Sequence, residues 1–378
     1  MRRISIFLLL ILVGVLVVGV AACGSSEPAA AQTPATGSSV GNAPAPDQIL
    51  GSTLKAGQTL KSSSGSFDLS LKLDVDTSKL PDQEKSLLTN PITLTGTFAG
   101  ADSPQAVQAD VTLGLAGQTM KLALKDSGDK SWVQLNNQWY ETPPELQQTA
   151  QDSASQAQAG DMMKLITDLG VDPATWLTGA TVVGQETLDN VATYHIKGTP
   201  DVAKMVTDMV GVMKSPEFQK MMTSTTEASG TTGGLSLGSM MPSADSLQQM
   251  QNELTDLFKN VSVEFWIGKD DSLPRKVSVT AHIVPPAGQN TQGVNSIDLT
   301  MNISLQNLNQ PVTVQAPESP LPYADLEKAF QDNPEQLLGP IGSLLQGLMG
   351  SLGAMEGTGG AGATTGSTGT VTPSTVSQ

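Results

Sequence analysis

Hydrophobic and polar residues alternate with a period of two along much of the chain. Phe67, Leu69, Leu71, Leu73 and Val75 alternate with Asp68, Ser70, Lys72 and Asp74. The pattern returns at Ile92, Leu94, Gly96 and Phe98, at Val107, Ala109, Val111, Leu113 and Leu115, and at Met120, Leu122 and Leu124. Later it runs through Val261, Val263, Phe265 and Ile267, then Val277, Val279, Ala281 and Ile283, then Ile297, Leu299, Met301, Ile303 and Leu305. Polarity that reverses at every residue places the apolar side chains on one face of a strand. Short gaps containing Gly, Asn, Asp and Pro predict antiparallel hairpins. Residues 180–186 and 190–197 predict a further hairpin with Asp189-Asn190 at its turn. Since every strand keeps a polar face, a Rossmann-type sheet buried between two helix layers is unlike this pattern.

An apolar sheet face must be covered. Helical spacing at residues 47–61, 201–214 and 246–259 supplies candidates, with shorter helices at 162–166 and 173–177. In 201–214, Met205, Met209 and Met213 recur at i, i+4 and i+8, beside Val202, Val206 and Val210. The expected fold class is α+β: a single curved antiparallel sheet, a half-barrel, with helices covering its apolar concave face. The residues expected to line a ligand cavity there are Leu69, Leu71, Leu73, Leu113, Met205, Val206, Met209, Met213, Phe265, Leu299 and Met301. Methionine is flexible and polarizable, so the 15 methionines suit either plain core filling or a deformable lining for a lipid.

The first residues have a different pattern. Arg2 and Arg3 precede an apolar run over residues 4–20, which ends on Val20-Ala21-Ala22-Cys23. A basic start, an apolar stretch and small residues before a cleavage point make a secretory signal. The Val-Ala-Ala-Cys tetrapeptide resembles the bacterial lipobox, whose cysteine is acylated and becomes the first mature residue. Residues 1–22 are therefore expected to be a lipoprotein signal peptide and Cys23 the lipidation site. Two acyl chains suffice for stable anchoring, at about 0.8 kcal/mol per buried CH₂. Residues 23–46, rich in Ala, Pro, Ser, Gly and Thr, cannot bury enough surface to fold and read as a tether. Such a tether reaches roughly 25 Å.

Residues 47–330 hold the strand and helix patterns and read as one domain. A Thr/Ser/Gly/Met-rich insertion is expected at 223–243, and a disordered Gly/Thr/Ser tail at 357–378. Between domain and tail, residues 331–356 are apolar but interrupted by glycine. Leu337, Leu338, Ile341, Leu344, Leu345, Leu348, Met349 and Leu352 fall there at helical spacing. This stretch suits docking on the domain or on a membrane surface.

Charge and composition remove several functions. The chain carries 20 Lys and Arg against 36 Asp and Glu. Beyond the signal peptide, Arg275 is the one arginine, so nucleic acid is not an expected partner. A single cysteine excludes a disulfide framework, a multi-Cys zinc site and an iron–sulfur cluster, and no cofactor or metal is expected. Gly234-Leu235-Ser236-Leu237-Gly238 matches the nucleophile elbow in letters, but that motif needs a strand–turn–helix setting and a later acid and histidine. It stands in a low-complexity stretch instead. His195 reads as a surface residue of a strand, and Lys269-Asp270-Asp271-Ser272 as a hairpin turn. Catalysis is not expected.

The run Phe265-Trp266-Ile267-Gly268-Lys269-Asp270-Asp271-Ser272-Leu273-Pro274-Arg275-Lys276-Val277 resembles a hairpin of actinobacterial cell-envelope lipoproteins of the LppX/LprG (LprAFG) type, related to the LolA/LolB fold. Ser64-Gly65-Ser66-Phe67, Trp132-Val133-Gln134-Leu135, Trp139-Tyr140 and residues 183–196 fit the same layout. The resemblance covers roughly residues 49–319 without the insertion. It implies an antiparallel half-barrel closed by helices around an apolar cavity for acyl chains. The expected function is a lipid-anchored extracytoplasmic binding protein, a monomer on the cell membrane, carrying an acylated lipid or lipoprotein without catalysis. The alternative is a surface lipoprotein with a packed core, acting as adaptor or sensor.

Overall fold

Twelve strands form one sheet in a computed structural model that describes residues 43–76, 78, 85, 89–102, 104–144, 167–218, 260–284 and 294–332. Cys23, most of the tether, the helices expected at 162–166 and 246–259, the 223–243 insertion and the chain beyond Asp332 lie outside the described residues. The strands are β1 (Ser62–Val75), β2 (Ile92–Asp102), β3 (Gln105–Leu115), β4 (Gln118–Asp126), β5 (Ser131–Leu135), β6 (Gln138–Glu141), β7 (Leu177–Leu188), β8 (Val191–Pro200), β9 (Val261–Gly268), β10 (Pro274–Ile283), β11 (Val294–Gln306) and β12 (Leu321–Pro322). Their order across the sheet is β12-β6-β5-β4-β3-β2-β1-β11-β10-β9-β8-β7. Every neighbouring pair is antiparallel except the short β12–β6 contact. The sheet is curved and unclosed, and with its helices the class is α+β.

Local chemistry explains the meander. Ala116-Gly117, Asn136-Asn137 and Asp189-Asn190 each hold two successive positive φ angles. Those are the angles of two-residue hairpin turns whose twist matches the strands, and Asn, Asp and Gly adopt them at least cost. The Asp189-Asn190 turn lies where the sequence places it. One long-range seam joins the two runs of strands, β1 against β11. There Leu69 faces Met301, Leu71 faces Leu299 and Leu73 faces Ile297.

Three α-helices flank the sheet among the described residues, α1 (Pro46–Gly57), α2 (Val202–Lys214) and α3 (Tyr323–Asp332), and the short helix expected at 173–177 is a 3₁₀ turn at Pro173–Trp176. Pro46 opens α1 in the first turn, where its missing N–H is harmless. The Asp201 carboxylate caps α2 by accepting from the Lys204 N–H at 2.9 Å. Ile49 and Leu50 of α1 pack on Ile196 and Ile267. Val202, Val206 and Val210 of α2 pack on Leu71, Val261, Ala281, Ile283, Ile297 and Leu299. Leu326 of α3 packs on Met120, Leu135 and Tyr140. Strand register places all these partners on one face of the sheet.

On α2 the sheet-facing stripe is valine rather than methionine. Val202, Val206 and Val210 are buried, while Met209 and Met213 are half-buried beside the same cluster. The methionine stripe starts three residues along, about 60° around the helix from the valines. From β11 the chain then crosses the opposite face of the sheet toward β12. Val312 seats there on Ala101 and Ala106, and the Ser62 hydroxyl donates to the Gln310 carbonyl at 2.6 Å.

Candidate functional site: an apolar sheet face in two parts

The apolar face divides into a packed half and an open half. Under α2, Leu71 is 7 % exposed, Val206 7 % and Leu299 3 %. Leu69, Leu73, Met209 and Met213 pack around them. Side chains in mutual contact at this burial make a close-packed interior. Toward β2, β3 and β4 the same face loosens. Leu94, Val111 and Leu113 are half-buried, and Leu122 and Leu124 are 38 % and 39 % exposed. At the far side α3 closes the face again over β4, β5 and β6.

The expected lining residues thus fall into several clusters. Leu71, Val206 and Leu299 are joined with Leu69, Leu73, Met209 and Met213. Met301 packs with Ile303, Leu305, Phe67, Leu69 and Phe98. Phe265 belongs with α1 and Ile267. Leu113 belongs with Met120, Leu135 and Tyr140. Met205 is half-buried. Leu122 and Leu124 were visible in the sequence as alternating strand residues. Their exposure was not, because it depends on where the helices land.

Two glycines shape the boundary between the halves. Gly65 faces Phe98 across β1 and β2, and Phe67 faces Gly96 two residues on. A Cβ on Gly65 would strike the Ser304 carbonyl and lie 2.7 Å from the Phe98 ring. A Cβ on Gly96 would strike the Asp110 carbonyl and lie 2.7 Å from the Phe67 ring. Each phenyl ring covers the glycine opposite, which keeps the backbone shielded where the sheet has no side chain of its own.

Two clefts also occur among the described residues. One of about 490 Å³ lies at the β6–β12 edge, between Glu141, Pro143, Pro144, Leu321 and Tyr323. The other, about 260 Å³, lies at the start of α1, between Gln48, Ser52, Tyr194 and Lys269. Neither is lined by the residues of the apolar face named from sequence.

The polar face carries a second feature, built by β7, β8 and β9. The His195 ring stacks on Trp266, and its nitrogens lie 2.9 Å from Glu186 Oε1 and 2.8 Å from Glu264 Oε2. Trp266 Nε1–H donates to the other Glu186 oxygen at 2.8 Å. Lys197 donates to Glu264 at 2.8 Å, and the Lys276 ammonium lies over the Trp266 ring at 4.5 Å. Burial pushes the Glu264 carboxyl up, but the hydrogen bonds and charges of Lys197 and His195 outweigh it and hold it below its ordinary value. His195 was read from sequence as an ordinary surface residue. It is a shielded member of this network, with a side chain 15 % exposed. Glu186 meets it within the β7–β8 hairpin, nine residues away, but Glu264 comes from a strand 69 residues on, which no local spacing shows.

His282 pairs with Asp298 at 2.6 Å on the exposed face. Among the described residues no group of three or more His, Cys, Asp or Glu is placed to hold a metal ion. Ser236 lies outside the described residues. No helix among them is long and apolar enough to cross a membrane.

No family model matches the chain, and no curated protein matches it. Solved structures do. The lipoprotein LppX of Mycobacterium tuberculosis is 14% identical, with a TM-score of 0.29 over 71% of this chain and 98% of that one. LprF from Mycobacterium bovis is 15% identical, with a TM-score of 0.31 over 72% and 97%. A DUF1329 family protein from Desulfovibrio piger is 9% identical, with a TM-score of 0.19 over 77% and 97%.

Proposed function

We propose that the protein is a lipid-anchored extracytoplasmic binding protein that holds an acylated lipid or lipoprotein against its apolar sheet face, without catalysis. One observation carries the reading. The apolar face continues from the packed half beneath α2 into β2–β4, where Leu122 and Leu124 stay more than a third exposed beside Leu94, Val111 and Leu113. Exposed apolar surface that continues a core marks a binding surface. An acyl chain laid there removes CH₂ groups from water at about 0.8 kcal/mol each. Cys23, acylated, would hold the domain at the membrane, and the tether would let it reach its cargo.

The experiment is mass spectrometry of organic extracts from Cys23→Ser protein. Stoichiometric acylated lipid in the parent, and its loss in Leu122→Asp/Leu124→Asp protein of unchanged melting temperature, supports the reading. No lipid in the parent refutes it. The second reading, an adaptor or sensor with a packed core, is favoured by the mutual burial of Leu71, Val206 and Leu299. It takes over if the parent is lipid-free.

A further inference from the structure

From the cleft at the start of α1 we infer a second binding site, one that takes the phosphodiester of a phospholipid headgroup on Lys269. The cleft stands at the β8–β9 end of the sheet, away from the open half on β2–β4. The site is independent of any lipid on the apolar face; only the choice of a headgroup as its source rests on the lipid-anchored reading.

The turn between β9 and β10 is braced by its own groups. The Gly268 N–H donates to the Leu273 carbonyl at 2.9 Å, and the Ser272 N–H to the Gly268 carbonyl at 3.0 Å. The Asp271 carboxylate accepts from the Leu273 N–H at 3.0 Å and from the Arg275 guanidinium. The acid and the arginine of this turn thus satisfy each other. Lys269 lines the cleft instead. Its backbone N–H donates to the Ala192 carbonyl at 2.9 Å, which fixes it against β8. Its ammonium donates to the Gln185 side-chain oxygen and lies 5.2 Å from the centre of the Tyr194 ring. Among the described residues no carboxylate pairs with it. Asp47, Asp270 and Asp271, the acids nearest in sequence to the cleft residues, are not part of its wall.

Lys269 is half-buried, and a cation drawn partly out of water without a counter-charge is unfavourable. In a chain with 36 acidic against 20 basic residues, an ammonium held in position without a carboxylate suits an anion from outside. It has three N–H donors, and Gln185 takes one. The Ser52 and Ser272 hydroxyls and the Gln48 amide in the same wall add neutral donors. Phosphate oxygens accept most strongly from such a charged donor. One positive charge matches the single negative charge of a phosphodiester. The volume of about 260 Å³ falls below the roughly 300–1,000 Å³ of sites that enclose a drug-sized ligand, so the cleft admits a headgroup and leaves the acyl chains outside. Pro44, where the chain enters the domain, also lines it. An acylated Cys23, twenty-one residues upstream, would keep the cleft within reach of the bilayer surface.

The test uses the mature chain with Cys23→Ser. The probes are glycerophosphocholine, a headgroup without acyl chains, and inorganic phosphate, with binding read by phosphorus NMR. Glycerophosphocholine should bind saturably. Lys269→Gln should weaken it at least fivefold. So should Ser52→Glu, which adds a like charge to the wall at an exposed position of α1 and leaves Lys269 in place. Lys130→Gln, which removes a lysine already paired with Glu141, should change the affinity less than twofold. Absence of saturable binding in the parent, or unchanged affinity in either Lys269→Gln or Ser52→Glu, overturns the site. A loss in Lys130→Gln equal to that in Lys269→Gln would mean that overall charge alone acts, and overturns it too. Inorganic phosphate bound as tightly as glycerophosphocholine overturns the headgroup as the source. Acylated lipid in organic extracts of the parent, present or absent, alters none of these outcomes, so the two readings fail separately.

Discussion

His195 lies flat on Trp266, ring centroids 4.1 Å apart and planes 17° from parallel. The two residues are direct partners on β8 and β9, on the face opposite the helices. Glu186 joins them, one oxygen to each ring. A histidine has one N–H when neutral and two when protonated. It donates to both Glu186 and Glu264 only as the imidazolium. The network ties three strands together near an edge of the sheet.

Trp266→Phe keeps an aromatic ring under His195 but removes the donor to Glu186. A hydrogen bond to a charged group contributes about 1.5–3 kcal/mol. Urea unfolding should show a loss in that range, and a double-mutant cycle with Glu186→Gln should recover most of it as coupling. Additive losses would mean that the Nε1–H bond contributes nothing.

Acid should weaken the domain through Glu264. Burial raises its carboxyl, yet Lys197 and His195 together hold it below the ordinary glutamate value. A carboxyl with a lowered folded pKa contributes stability above its unfolded pKa, and this is lost as pH falls through the folded one. Melting temperature should therefore fall on acidification below about pH 4.3, the ordinary glutamate value. Glu264→Gln should flatten that limb of the curve. An identical acid limb in parent and variant would remove Glu264 from the account.

The two halves of the apolar face should respond differently to truncation. Leu299, 3 % exposed under α2, should cost about 2–5 kcal/mol as Leu299→Ala. Leu122, 38 % exposed, should change stability by no more than about 0.5 kcal/mol as Leu122→Ala. Thermal melts of lipid-free protein decide it. Similar losses at both sites would mean that the open half is part of the packed core.

Gly65→Ala should destabilise by at least about 1–3 kcal/mol. Phe98→Ala should not rescue it, because the Ser304 backbone oxygen still blocks the added methyl. Rescue by Phe98→Ala, read by chemical denaturation, would show that the ring alone excludes a side chain there.

The anchor has its own test. Cys23→Ala should abolish incorporation of radioactive fatty acid and leave uncleaved precursor, since the thiol is the expected acyl acceptor. Labelling equal to the parent would locate the lipid elsewhere.

Alternation by itself determined β1–β4 and β9–β11, because a period of two has no other regular backbone solution. The Asp189-Asn190 turn was legible for a similarly local reason, its need for positive φ. The class α+β followed from strands with one polar face and helical segments between them. What sequence could not determine was which helical stripe met the sheet. Met205, Met209 and Met213 and the valines beside them fit the same period, and the valines face the strands because of how α2 is rotated as it leaves β8. Nor could it separate packed from open apolar positions. Leu71 and Leu122 look alike in a strand pattern, yet one lies under α2 and the other between α2 and α3. The His195 network was invisible for the same reason. Glu186, His195 and Glu264 become neighbours only when β7, β8 and β9 pair in this order. Periodicity fixes which face a side chain takes, and long-range pairing alone decides what that face meets.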